Sequence, residues 1–220
     1  MAGPDSGLDL ISAMIRGGEK AVSEFNWISG GEWFDEAPEY FLTTYVATSI
    51  RSFNNTFSLL EVSVDGTRKS AGASRLGRPA NHERRNGRFD VVIYWANDTP
   101  RGAVEIKSPI WSVTENLIQP DIDELCSALC ANTDSTLQFG AFIFYASSGN
   151  PNRLHNSASE RLRDLLKRID KFSSDLAKSH GIDNILIPGA IHRGDEVDGG
   201  AWCIAALVFT RKGGKQSFQA

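Results

Sequence analysis

In the run Ala103-Val104-Glu105-Ile106-Lys107 an acid and a base alternate with small or aliphatic residues. Read as a β-strand, whose side chains alternate with period two, the run sends Val104 and Ile106 to one face and Glu105 and Lys107 to the other. A second apolar run, Arg88 to Trp95, precedes it, and the polar Ala96 to Arg101 segment with Asn97, Asp98 and Pro100 makes a turn, so the two runs form a hairpin. That turn puts Asp90 across from Lys107 and diagonal to Glu105, at the open end of the hairpin. Three charged side chains meeting on an apolar sheet must be paired, hydrated or bound to a metal, because stranding a charge in a core costs several kcal/mol. The plain alternative is a surface ion pair between Glu105 and Lys107 on a half-exposed sheet, which is what an E-x-K tripeptide in a strand usually is. Three features weigh against it here: the aspartate at the matching hairpin position, Glu39 at the tip of an apolar helix stripe upstream, and a cationic segment leading straight into Asp90.

That cationic segment stands out from the rest of the chain. Arg68, Lys69, Arg75, Arg78, Arg84, Arg85 and Arg88 face the single acid Glu83, a local charge of +6 in a chain of net charge −4, so the remainder carries −10. The molecule as a whole is not a polycation, and the asymmetry suggests one local anion-binding face; the competing reading is a solvated loop rich in Gly, Ser and Arg.

The elements that must position these groups follow from periodicity. Leu8 to Ile15 is amphipathic, Gly17-Gly18 reads as a break, and Val22 and Phe25 continue a second short piece, which together make a helical N-terminal extension over 1–30. Pro38-Glu39 suits a helix first turn, and the helix extends to about Phe53 with Glu39, Leu42, Val46, Ile50 and Phe53 on one face. Phe57 to Val64 reads as a strand ending at Asp65-Gly66. Ser112-Val113-Thr114-Glu115 has capping-box spacing and opens a helix that Pro120 kinks or restarts on its way to Ala131. Gln138 to Ala146 is a strand, Ser157 to His180 a long helix, and Ile185–Ile187 and Trp202–Phe209 complete the strands. The order is that of an α/β domain, single over residues 1–220, with a core from 36 to 146 and a C-terminal helix and strands over 147–220.

At this point the chain resembles the PD-(D/E)xK nuclease superfamily, the restriction-endonuclease-like fold of many restriction enzymes, repair nucleases and phage-defence nucleases. Its three-layer core of helix, three strands, helix, strand is similar to the stretch from Glu36 to Ala146. The resemblance implies that Asp90 on the second core strand and Glu105 on the third hold Mg²⁺, for which Mn²⁺ substitutes, and that Lys107 assists the attack of water. Glu39 is the match for the first-helix glutamate that many members add as support to the metal, with Glu36 in reserve. Phe89 stands where the family name has proline, and Gln119 is the nearest match to a glutamine that some members carry on the following helix. The chemistry demands such residues: hydrolysis of a phosphodiester develops negative charge that a hard cation on oxygen ligands neutralises, and Mg²⁺ is adequately held by one or two carboxylates. The expected activity is Mg²⁺-dependent cleavage of DNA, by an endonuclease of prokaryotic restriction or phage-defence type; RNA carries the same bond. Arg78, Arg84, Arg85 and Arg88 are the expected phosphate contacts, and a homodimer would bring two sites to both strands. The rival expectations are a nucleic-acid-binding module on the same fold that does not cut, and a regulatory protein with an ordinary ion pair.

Other signals lead away from alternative chemistries. Cys126, Cys130 and Cys203 are an odd count without zinc spacing, and Cys126 and Cys130 suit core packing of a helix. His82, His155, His180 and His192 are dispersed, and neither a P-loop nor a dinucleotide fingerprint occurs, so no organic cofactor is expected. The basic residues between Arg161 and Lys171 interleave with acids and aliphatics, as on a solvated helix face. No apolar run is long enough to span a bilayer and no leader pattern opens the chain, which together suggest a cytoplasmic protein.

Overall fold

The computed structural model describes residues 6–73, 87–113, 115–132, 134–149, 154, 157–193, 199–213 and 218. The first helix, α1 (Gly7–Ser29), starts at a capping box in which Ser6 and Asp9 satisfy each other's backbone N–H groups. It runs unbroken through Gly17-Gly18, contrary to the expected break. A Cβ on Gly17 would stand 2.8 Å from the Tyr45 carbonyl oxygen, and one on Gly18 would stand 2.9 Å from the Ile204 side chain, so the pair allows close packing against a second helix and the sheet. That second helix, α2 (Glu39–Ser49), begins after Pro38 and tightens into a 3-10 turn (Ile50–Ser52) before Phe53; Leu42, Val46 and Ile50 are fully buried, as the stripe requires.

Strand β1 (Thr56–Ser63) runs directly into a short helix, α3 (Val64–Ser70), because Ser63 caps it by accepting the Gly66 N–H; the strand was expected to end at Asp65-Gly66, with no helix after it. Strands β2 (Arg88–Trp95) and β3 (Pro100–Ile110) form the hairpin, followed by α4 (Glu115–Cys130) and β4 (Phe139–Ser148). Pro120 lies inside α4 without restarting it; near the N-terminal end it removes one ladder bond. Helix α5 (Ala158–Ser179) and strands β5 (Ile182–Pro188), β6 (His192–Arg193) and β7 (Ala201–Arg211) complete the described elements. The two-residue β6 was too short to leave a periodic signal.

All seven strands belong to one mixed sheet in the order β1-β2-β3-β4-β7-β5, with β6 beside β7. Among the described strands only β3 and β4 pair in parallel, and α4 makes the crossover that such a pair needs. Helices cover both faces. On one side α4 and α5 pack Leu125, Leu129, Leu162 and Ile169 against Phe142 and Phe144; on the other α1 and α2 pack Leu10, Met14, Leu42 and Val46 against Ile143 and Tyr145. Every residue of β4 is buried, as expected of a strand covered on both faces. The protein is thus an α/β fold with helices either side of a seven-stranded sheet. Among the described residues no helix is long and apolar enough to cross a membrane.

Candidate active site

The hairpin turn is shorter than expected. Trp95 N–H donates to the Thr99 carbonyl at 2.9 Å, Pro100 and Arg101 already belong to β3, and the ladder slips by a residue between Ile93 and Tyr94. The paired residues are therefore Val91 with Val104, Val92 with Ala103 and Ile93 with Gly102, and one step further toward the open end the Asp90 side chain hydrogen-bonds with that of Glu105, where Lys107 was expected across from it. This correction brings the two carboxyl groups together.

Asp90 sits at a break in both of its ladders. On the β3 side backbone pairing stops at Val91, and Asp90 Oδ2 itself accepts the Ile106 N–H at 2.7 Å. On the β1 side Leu60 pairs with Val91 and Val62 with Phe89, while Glu61 between them takes a left-handed conformation (φ 53°). A non-glycine residue held there in a strand is strained, a condition that clusters at functional sites.

The other two predicted residues join at the end of β3. Glu39 Oε2, in the first turn of α2, accepts the Ser108 N–H at 3.0 Å and lies 3.5 Å from Lys107 Nζ. A helix start is therefore tied to a strand end by one carboxylate, which also holds the ammonium. Glu39 is close enough to Asp90 to raise its proton affinity, whereas Glu36 is exposed in the 3-10 turn Phe34–Glu36.

Electrostatically the site is overloaded with acid. Burial pushes the Asp90 carboxyl up to about 6, partly offset by the hydrogen bonds from Ile106 and Glu105. Glu105 is only 5% exposed, and burial, followed by repulsion from Asp90, Asp121 and Glu124, pushes it up to about 10. Without a cation Glu105 holds a proton at neutral pH and shares it with Asp90. Asp121 and Glu124, both buried on α4, were not singled out from the sequence. A signal was present: Asp121 occupies the i+3 place of the Ile118, Ile122, Leu125 stripe, where an apolar residue is the rule. Gly87 makes room for Glu124, since a Cβ there would stand 2.5 Å from its Oε1.

Of the remaining expected residues the structure describes Gln119 and Arg88. Gln119 does not reach this cluster; its amide donates to Asp123 at 3.3 Å, and Asp123 is 2.7 Å from His180 Nε2. Arg88 opens β2 and is exposed, Arg68 is buried within α3 and so leaves the cationic face, and Arg78, Arg84 and Arg85 lie outside the described residues. Cys126 and Cys203 are buried free thiols with raised proton affinity, in keeping with core packing. A shallow, open depression of about 550 Å³, lined by Asn55, Trp95, Thr99 and Gln138 among others, lies at the closed end of the hairpin, away from the carboxylates.

Among the described residues no three His, Cys, Asp or Glu side chains form a ready-made metal cage. The donor chemistry nonetheless suits a hard cation: Asp90 and Glu105 are adjacent oxygen donors whose mutual repulsion a divalent ion would relieve, and two carboxylates are enough for Mg²⁺. Comparison with protein-family models, curated proteins and solved structures found no match for this chain.

Proposed function

We propose that this chain is a Mg²⁺-dependent nuclease of the PD-(D/E)xK type that hydrolyses DNA phosphodiester bonds. The observation that carries the reading is the meeting of Asp90 and Glu105 where the hairpin ladder ends, beside Lys107 held by Glu39. The run of α2, β1 to β3, α4 and β4, with β3 and β4 parallel, supports it, being the element order of the restriction-endonuclease-like core. Asp90 and Glu105 would hold the cation, and the chemistry it supplies is neutralisation of charge on the phosphate and acidification of water.

The chain's own groups do the rest. Ile106 N–H fixes one oxygen of Asp90, so this carboxylate is oriented before substrate arrives. To hold a cation Glu105 would have to release its proton, exchanging a buried neutral acid for a paired anion. Lys107 places a compact positive charge beside the phosphate, where it stabilises the charge that builds up in the transition state or orients the attacking water. Glu39 holds Lys107 and the β3 backbone in place, and supports the metal site through its nearby charge.

The test is incubation of the purified protein with plasmid, linear duplex, single-stranded DNA and RNA, with Mg²⁺ or Mn²⁺ and with chelator. Cleavage of DNA that the chelator abolishes is the expected result. Equal cleavage in chelator would overturn the metal mechanism, and binding without cleavage in every condition would make the chain a nucleic-acid-binding module.

A further inference from the structure

We propose, on the nuclease reading above, that Trp111 is a stacking platform for a nucleobase next to the cleaved bond, so that the strand is cut while that base is out of its duplex stack. Trp111 follows β3 directly, four residues beyond Lys107, and is 61% exposed. An indole so exposed would ordinarily turn freely. This one is tethered at its polar edge: its Nε1–H donates to Asp35 Oδ2 at 3.1 Å, and the same oxygen accepts the Ser147 hydroxyl at 3.1 Å. The only polar atom of the ring is thus anchored while much of its surface stays in water.

The anchor is itself joined to the core. Asp35 belongs to the 3-10 turn whose Phe34 packs in the core against Phe25, Phe41 and Tyr145, at centroid distances of 5.6, 6.3 and 5.1 Å. A held, exposed ring is a preorganised surface, because the loss of its rotational freedom has been met by folding and not left to binding. Tyr40, 71% exposed, immediately follows Glu39. Both aromatic residues therefore flank the two segments, the first turn of α2 and the end of β3, that Glu39 joins through Lys107 and Ser108.

An exposed aromatic face near a cation is the combination by which proteins hold unstacked nucleic acid, the ring taking the base and the cation the phosphate. A base within an intact duplex already has both faces covered, so such a ring rewards a single strand or a locally opened duplex.

Binding in chelator, where no cleavage occurs, tests the assignment. The fluorescence anisotropy of a labelled oligo-dA strand, an oligo-U RNA strand and a matched duplex, each of about 12 nucleotides, would be followed with wild type, Trp111→Ala, Trp111→Phe and Asp35→Ala. Trp111→Ala should weaken single-strand binding by about 5- to 150-fold, the span of alanine substitutions at stacking aromatics, with little change for the duplex. Trp111→Phe should restore most of the affinity, Asp35→Ala should fall between, and all should bind Mg²⁺ as wild type does in calorimetry. If Trp111→Ala binds single strands as tightly as wild type, or loses duplex and single strand alike, the stacking role is overturned while the nuclease reading stands. If wild type itself binds no nucleic acid and cleaves none with Mg²⁺, the nuclease reading falls and takes this inference with it.

Discussion

Replacing Glu105 with glutamine should make the metal-free protein more stable, and more so as the pH rises. Glu105 in the fold keeps its proton up to about 10, chiefly because it is buried and secondly because Asp90, Asp121 and Glu124 repel its charge, whereas the ordinary value is 4.5. Between those values the folded state binds a proton that the unfolded chain has released. The stability tied to this group is therefore fully present below 4.5 and is lost as pH rises toward about 10. The loss is at most about 1.4 kcal/mol per pH unit, so near pH 7.5 the ceiling is about 4 kcal/mol. Water entry and relaxation of the four acids reduce it, leaving about 1–3 kcal/mol. Glutamine has no proton to lose, and its amide can donate to Asp90 as the protonated acid does. For a chain of this length each kcal/mol raises Tm by about 2–4 °C. Thermal unfolding in chelator at pH 5.5 and 8.5 would show it: the variant should gain little at the lower pH and clearly at the higher. Saturating Mg²⁺ should stabilise wild type and leave the variant nearly unmoved. A difference in Tm that is the same at both pH values, or a variant less stable at pH 8.5, would refute the placement of Glu105 among repelling acids.

Further outcomes are expected. Mg²⁺ binding should release close to one proton at neutral pH and tighten as pH rises toward about 10, because Glu105 must ionise to take the ion; calorimetry in two buffers of different ionisation enthalpy reads this. Lys107→Ala should retain Mg²⁺ affinity but slow single-turnover cleavage by about 10²- to 10³-fold, and Glu39→Gln should be intermediate, since the amide still accepts from Ser108 yet no longer pairs with the ammonium. Neutralising Arg84, Arg85 and Arg88 should flatten the plot of log K against log salt, and an unchanged slope would return this segment to a solvated loop. Gly17→Ala should destabilise by up to about 2 kcal/mol in urea unfolding, because its Cβ would meet the Tyr45 carbonyl oxygen at 2.8 Å, an overpacking cost of about 1–3 kcal/mol set against the roughly 1 kcal/mol that alanine gains in a helix.

What could be read from the chain alone was whatever repeats along it. The alternation of Val104 and Ile106 with Glu105 and Lys107, the stripe of Leu42, Val46 and Ile50, and the spacing of Leu162, Leu165, Leu166 and Ile169 each depend on neighbours within one or two turns, so they gave β2, β3, α2 and α5 within a few residues. The same local patterning set Glu39 and Lys107 at the ends of their elements. Contacts between elements were not legible in this way. Gly17-Gly18 looks like a break until α2 and Ile204 are packed against it, and Pro120 looks like a restart until its position in α4 is known. The meeting of the Asp90 and Glu105 side chains depended on a four-residue turn and a one-residue slip, which the strand patterns on either side would fit equally well in another register. Asp121 and Glu124 join the site only because the crossover from β3 to the parallel β4 lays α4 over Glu105, and that is decided by the sheet order, a property of the whole chain.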